Sequence, residues 1–110
     1  AHKNLAREAV RKSIVLLKNG ENVDSHVLSL PKEVSKILVT GSHAVNLGFQ
    51  CGGWTIIWQG QDGNDHTIGT TFFNEMETAV HPSTEISYNE SPEEDFVKSN
   101  NFSYAVVVVG

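Results

Sequence analysis

Apolar residues recur with a helical period over residues 3–13, where Leu5, Ala6, Ala9 and Val10 form one stripe and Arg7, Glu8, Arg11 and Lys12 stand opposite. This spacing predicts an amphipathic helix. The apolar run Ile14-Val15-Leu16-Leu17 follows and ends at Lys18-Asn19-Gly20. Its length fits a prolonged helix or a short buried strand, and the strand is the favoured assignment. Residues 20–35 read as a polar loop, with Leu28, Leu30 and Pro31 expected to tuck part of it down. Ile37-Leu38-Val39 reads as a second strand, closed by the turn Thr40-Gly41-Ser42. Residues 43–68 show little periodicity and several glycines, and so long an irregular stretch usually serves function. Thr70 or Thr71 can cap a helix running to about Val80, with Phe72, Phe73, Met76 and Val80 inward and Pro82 just beyond its end. Glu85 to Tyr88 alternates as a short strand. Ser91 is placed as the N-cap of another helix, with Pro92 in its first turn and Glu93, Glu94 and Asp95 complementing the dipole. Phe102 to Val109 reads as a fully buried final strand. The order helix, strand, strand, helix, strand, helix, strand predicts an α/β fold, a mostly parallel sheet flanked by helices.

Composition narrows the function classes. The 110 residues suffice for one small domain, and a net charge of −5 without a basic stripe argues against a nucleic-acid partner. No apolar run approaches the length that spans a bilayer, so no membrane partner is expected. The opening residues read as helix rather than as a signal peptide. Cys51 is alone and builds no disulfide framework. Two N-glycosylation triplets occur, Asn89-Glu90-Ser91 and Asn101-Phe102-Ser103, and Pro92 makes the first a poorer acceptor. They permit a secreted protein without requiring one. The last apolar strand stops at Gly110, where an α/β sheet would normally start a functional loop, so the chain is expected to be a piece of a longer protein.

The segment Gly52-Gly53-Trp54-Thr55-Ile56-Ile57-Trp58-Gln59-Gly60 holds both tryptophans of the chain between glycines. An indole is a large, flat apolar surface, and the axial C–H bonds of a β-linked hexose present a face that can stack on it. Glycine lets the backbone take positive φ and lets a ligand come close. Trp54 and Trp58 are therefore the candidate substrate-binding residues. Burial in a core is an equally open reading, since i and i+4 share a face in a helix and also in a strand.

Other constellations carry less. The histidines at 2, 26, 43, 66 and 81 have no ligand spacing, and no metal site or cofactor is expected. Thr40-Gly41-Ser42 lacks the full phosphate-binding glycine pattern, which argues against a nucleotide. Asp62 and Asp65 flank Gly63-Asn64 in what reads as a surface turn, short of the oxygen ligands a calcium loop needs. Ser42 and His43 are neighbours expected to point apart, so no catalytic triad stands out.

The run Leu5 to Gly20 resembles the segment joining the two domains of glycoside hydrolase family three, and in particular of the plant-type β-D-glucan exohydrolases and β-glucosidases. Lys36-Ile37-Leu38-Val39-Thr40-Gly41-Ser42-His43-Ala44 resembles the next strand and turn. Asn46-Leu47-Gly48-Phe49-Gln50-Cys51-Gly52-Gly53-Trp54-Thr55-Ile56 with Trp58-Gln59-Gly60 resembles the substrate loop. Gly69-Thr70-Thr71 and Phe102-Ser103-Tyr104-Ala105-Val106 continue the similarity in order.

The resemblance implies a retaining enzyme that releases glucose from the non-reducing ends of β-glucan or oligoglucosides. Its active site would be a pocket between a (β/α)8 barrel, carrying the nucleophilic Asp, and an α/β sandwich, carrying the acid/base Glu. Residues 1–13 would be the interdomain linker helix and residues 14–110 the first part of the sandwich. Trp54 would stack on the glucosyl ring next to the scissile bond, and Trp58 would be a second aromatic nearby. Neither catalytic carboxylate would lie in this chain, so no catalytic residue is assigned here. Val45 and Ile57 depart from the family pattern, where Asp, and Glu or Thr, are usual. An extracellular or cell-wall location is implied. The alternatives are a non-catalytic carbohydrate-binding module and a degenerate paralogue.

Overall fold

The computed structural model describes residues 2–22 and 24–110. In chain order the elements are α1 (His2–Ser13), β1 (Lys36–Thr40), α2 (Leu47–Cys51), α3 (Phe72–Ala79), β2 (Glu85–Tyr88), α4 (Glu94–Ser99) and β3 (Tyr104–Val107). They fall into two units, Ala1–Leu30 and Pro31–Gly110.

The first unit holds α1. A Glu8–Lys12 ion pair of 2.7 Å supports it at the favourable i, i+4 spacing, with the acid N-terminal to the base. The predicted helix is present, but Leu5 and Val10 of its apolar stripe are exposed. Ile14 to Leu17 form no strand, and Leu17 is 92% exposed. A strand needs a neighbour for its backbone groups, and the described residues of this unit contain no other strand. Downstream, Asn19 closes a turn by accepting the N–H groups of Val27 (3.0 Å) and Leu28 (2.7 Å) at Oδ1. Of the residues expected to tuck in, Leu30 is half-buried whereas Leu28 and Pro31 are exposed.

The second unit is α/β. Its three-stranded sheet is wholly parallel in the order β2-β1-β3. β1 occupies the centre because its side chains suit burial on both faces: Ile37, Leu38 and Val39 are all buried, and their unbroken apolar run is what a doubly covered parallel strand requires. Ile37 pairs in register with Ile86 on one side and Tyr104 on the other. One face carries the core, in which Ile37, Val39 and Ala44 pack with Val45, Phe73, Met76, Val80, Ile86 and Val106 among others. Val45 at the start of the loop belongs to this apolar packing.

Thr71 caps α3, accepting the Asn74 N–H at 3.3 Å, and so resolves the choice between Thr70 and Thr71. Phe73, Met76 and Val80 face the core as expected, but Phe72 is exposed. α4 begins later than Ser91 and Pro92 suggested, with Glu93 at the N-cap. The reason is local: Asn89 Oδ1 accepts the Ser91 N–H at 3.1 Å, and this turn holds the chain out of the helix. β3 is shorter than the predicted strand and not fully buried. It lies at a sheet edge with Tyr104 and Val106 half-buried and Ala105 and Val107 exposed.

Lys36 fastens the N-terminal end of the sheet. Its ammonium pairs with Glu85 at 2.8 Å, donates to Asn100 Oδ1 at 3.0 Å and lies 5.4 Å from the centre of the Phe102 ring. At the other end, the Tyr88 phenol donates to the Gly41 carbonyl at 3.3 Å. Burial raises the pKa of that phenol above its usual value, and the Glu90 carboxylate adds to the shift.

Candidate functional site

The loop after β1 leaves the sheet at the C-terminal end of its central strand, where the chain's two crossovers diverge toward opposite edges. In open α/β sheets such a position favours ligand binding. Gly41 makes the exit with φ +95°, and a Cβ there would lie 2.2 Å from the Val108 carbonyl oxygen. Ser42 and His43 follow. They do not point apart, since Ser42 Oγ lies 3.0 Å from His43 Nδ1 across the turn. The imidazole also stacks on Phe49, with ring centres 5.3 Å apart. Its Nε2 faces Gly110, where a Cβ would come within 2.9 Å. Among the described residues no carboxylate is hydrogen-bonded to the ring, so Ser42 and His43 make a pair and not a triad.

Residues 43–68 are not without regular structure, because α2 forms within them. Asn46 caps it, accepting the Phe49 N–H at 3.0 Å. The same oxygen accepts the Gly63 N–H at 3.1 Å, and the Asn46 amide nitrogen donates to Asp62. Asn64 reaches back, accepting the Leu47 N–H at 2.7 Å and donating to the Val45 carbonyl at 3.0 Å. Gly48 donates to the Gly63 carbonyl at 2.9 Å, and a Cβ on Gly48 would meet the Gln61 oxygen at 1.8 Å. Two asparagines and close backbone contact thus tie the two legs of the loop together. An asparagine directly before an apolar residue was the available signal for this cap.

Beyond α2 the chain turns at Gly52 (φ +70°) and returns through Gly60 (φ +79°). A Cβ on Gly60 would sit 2.9 Å from the Gly52 oxygen, so the neck of the loop needs glycine. The tryptophans lie in neither helix nor strand but in the tight turn between. Trp54 N–H donates to the Trp58 carbonyl at 3.0 Å, and the ring centres are 6.2 Å apart with planes inclined by 46°. Trp54 is 83% exposed and Trp58 70% exposed, so neither is core. Trp54 and Ile56 both adopt positive φ, +63° and +70°. For a β-branched or bulky residue this backbone is unusual and strained.

Ile56 and Ile57 are exposed beside the indoles, and together they form an apolar patch of the kind that marks a binding surface. At its foot lies a recess of about 200 Å³ lined by His43, Phe49, Gln59, Gln61 and Asp62 with the neck glycines. The patch offers stacking area and the recess offers amide and carboxylate groups for hydroxyls. Among the described residues no group of three or more His, Cys, Asp or Glu side chains could hold a metal ion, and no helix is long and apolar enough to cross a membrane. No protein-family model and no curated protein matches the sequence.

Proposed function

We propose that the Trp54–Trp58 loop stacks on a glucosyl ring, as part of a retaining β-glucosidase or β-glucan exohydrolase that releases glucose from non-reducing ends. The observation that supports this is the pair of exposed indoles, 6.2 Å apart, on a strained turn with a glycine neck. A free surface loop has no packing reason to expose two tryptophans, whereas the apolar face of a β-linked hexose gives them one. In this reading Trp54 holds the sugar next to the scissile bond and Trp58 flanks it. Holding the leaving sugar in line contributes to catalysis by orientation. The two carboxyls of a retaining mechanism, about 5–5.5 Å apart, come from other parts of the protein: a sandwich of which this sheet is the first portion, and a barrel domain. The location is extracellular or in the cell wall.

A binding module without hydrolysis is the second reading. It rests on the same exposed indoles, since Asp62, the one carboxylate lining the recess, is engaged by Asn46 and stacking alone needs no catalytic carboxylate. A degenerate paralogue of the hydrolase would look the same over these residues.

The test is a titration of the chain with β-linked oligoglucosides, followed by tryptophan fluorescence, which reports only this loop because both tryptophans lie in it. A saturable change that disappears in Trp54→Ala is expected. An unchanged spectrum at millimolar oligosaccharide would remove the sugar reading altogether. Release of glucose with retained configuration by a longer protein containing this chain separates the enzyme from the module.

A further inference from the structure

The fold treats the two Asn-X-Ser triplets differently. Asn101 follows Asn100, the C-cap of α4, and turns the chain with φ +48°. Asparagine is one of the few residues besides glycine that adopts this left-handed conformation readily. Asn100 holds the turn, donating to the Phe96 carbonyl at 2.8 Å and accepting from Lys36 Nζ at 3.0 Å. Asn101 is therefore not needed to hold it. Its side chain is exposed and has no hydrogen-bond partner among the described residues. Ser103 of the same triplet is exposed, and its hydroxyl meets only another surface hydroxyl, Ser35 Oγ at 3.2 Å.

Asn89 is placed in the opposite way. It is half-buried at the end of β2, where its N–H donates to the Val39 carbonyl at 3.1 Å. Its Oδ1 accepts the Ser91 N–H, also at 3.1 Å, which folds the carboxamide back along its own backbone. Pro92 then stiffens the residue after the triplet.

We propose that Asn101 is an N-glycosylation site and that Asn89 is not. The co-reactant is a polyprenyl-diphosphate-linked oligosaccharide of the secretory pathway. Asn101 Nδ2 forms a bond to the anomeric carbon, the bond from that carbon to the diphosphate oxygen breaks, and the diphosphate leaves with the electron pair. One Nδ2 proton passes to a base of the transferase. The product is a bulky hydrophilic group. At Asn101 it stands in water without displacing a contact, whereas at Asn89 it would compete with the turn that delays α4. This inference rests on the extracellular location proposed above and is independent of the sugar-stacking role of the tryptophans.

The experiment directs the 110-residue chain through a eukaryotic secretory host and measures intact mass before and after peptide-N-glycosidase. Secreted and cell-retained material are both measured, so that retention hides nothing. One glycan is expected, lost in Asn101→Gln and retained in Asn89→Gln. Ser103→Ala, which leaves the Asn101 turn in place, is also expected to lose it, and Ser103→Thr to keep it. A chain without glycan in either fraction, or a glycan that survives Asn101→Gln, overturns the proposal.

Discussion

Trp54 donates its backbone N–H to the Trp58 carbonyl, and this bond closes a turn, neither helix nor strand, in which the two indoles stand side by side. In the same turn Thr55 Oγ1 also reaches back to the Cys51 carbonyl at 3.2 Å. The side chains themselves bear almost none of the fold's packing, and affinity and stability should therefore respond to separate substitutions.

Trp54→Ala is expected to weaken oligoglucoside binding by roughly 5- to 150-fold, because aromatic stacking on a flat ring is worth about 1–3 kcal/mol. The melting temperature should hardly move, since the indole is 83% exposed. A buried Trp would instead cost about 3–5 kcal/mol of stability on truncation. Calorimetric titration and thermal denaturation of the same variant check both halves. Lost stability with intact binding would contradict the surface role.

Gly60→Ala tests the neck. A left-handed backbone costs a non-glycine residue about 1–2 kcal/mol, and the new methyl would press on the Gly52 oxygen. Sugar affinity should fall while the sheet's thermal transition stays near its original temperature. Gly41→Ala should do the reverse, because its Cβ would strike the Val108 backbone where the sheet ends.

Asn46→Ala removes the cap of α2 together with the Gly63 and Asp62 contacts, and should cost about 1–2 kcal/mol by urea denaturation. Asn46→Asp keeps an acceptor for both N–H groups but sets a second carboxylate against Asp62. It should be destabilised near neutral pH and recover when Asp62→Asn is added. Failure of that rescue would show that the two side chains do not interact in solution.

Tyr88→Phe tests the half-buried phenol. The folded state raises its pKa, so it binds the proton more tightly than the unfolded chain does. The resulting stability is fully present below the ordinary tyrosine value of about 10 and is lost as pH rises through the higher folded value. The melting temperature of the parent should therefore fall more steeply from pH 9 to 11 than that of Tyr88→Phe. Parallel curves would mean that the phenol titrates alike in both states.

The sheet was legible where one physical signal stood alone. Ile37-Leu38-Val39 read directly as a strand, and Thr70 or Thr71 before Phe72, Phe73, Met76 and Val80 marked a capped helix, in which Thr71 proves to be the cap and Phe72 exposed. Ile14 to Leu17 misled because hydrophobicity reports a wish for burial, whereas a strand exists only beside another strand. Ser91 misled because Asn89 captured its N–H first. The tryptophan segment was recognisable from composition, but its geometry was not. Trp54 and Ile56 take positive φ in a loop whose two legs are tied by Asn46 and Asn64, and those bonds couple positions that no periodic pattern links.

The central place of β1 has a consequence for how the chain is made. Both of its partners, β2 and β3, are encoded downstream, and no hairpin gives it an earlier one. On the ribosome, Ile37, Leu38 and Val39 leave the exit tunnel as an apolar strand with nothing to pair with until Glu85 to Tyr88 have been synthesised. Non-local parallel pairing of this kind is slow, and exposed strands of emerging chains are where association with other chains begins. Chaperone capture over that interval is therefore expected to raise the yield of native protein, and Tyr104 to Val107, synthesised last, fill the other edge of β1.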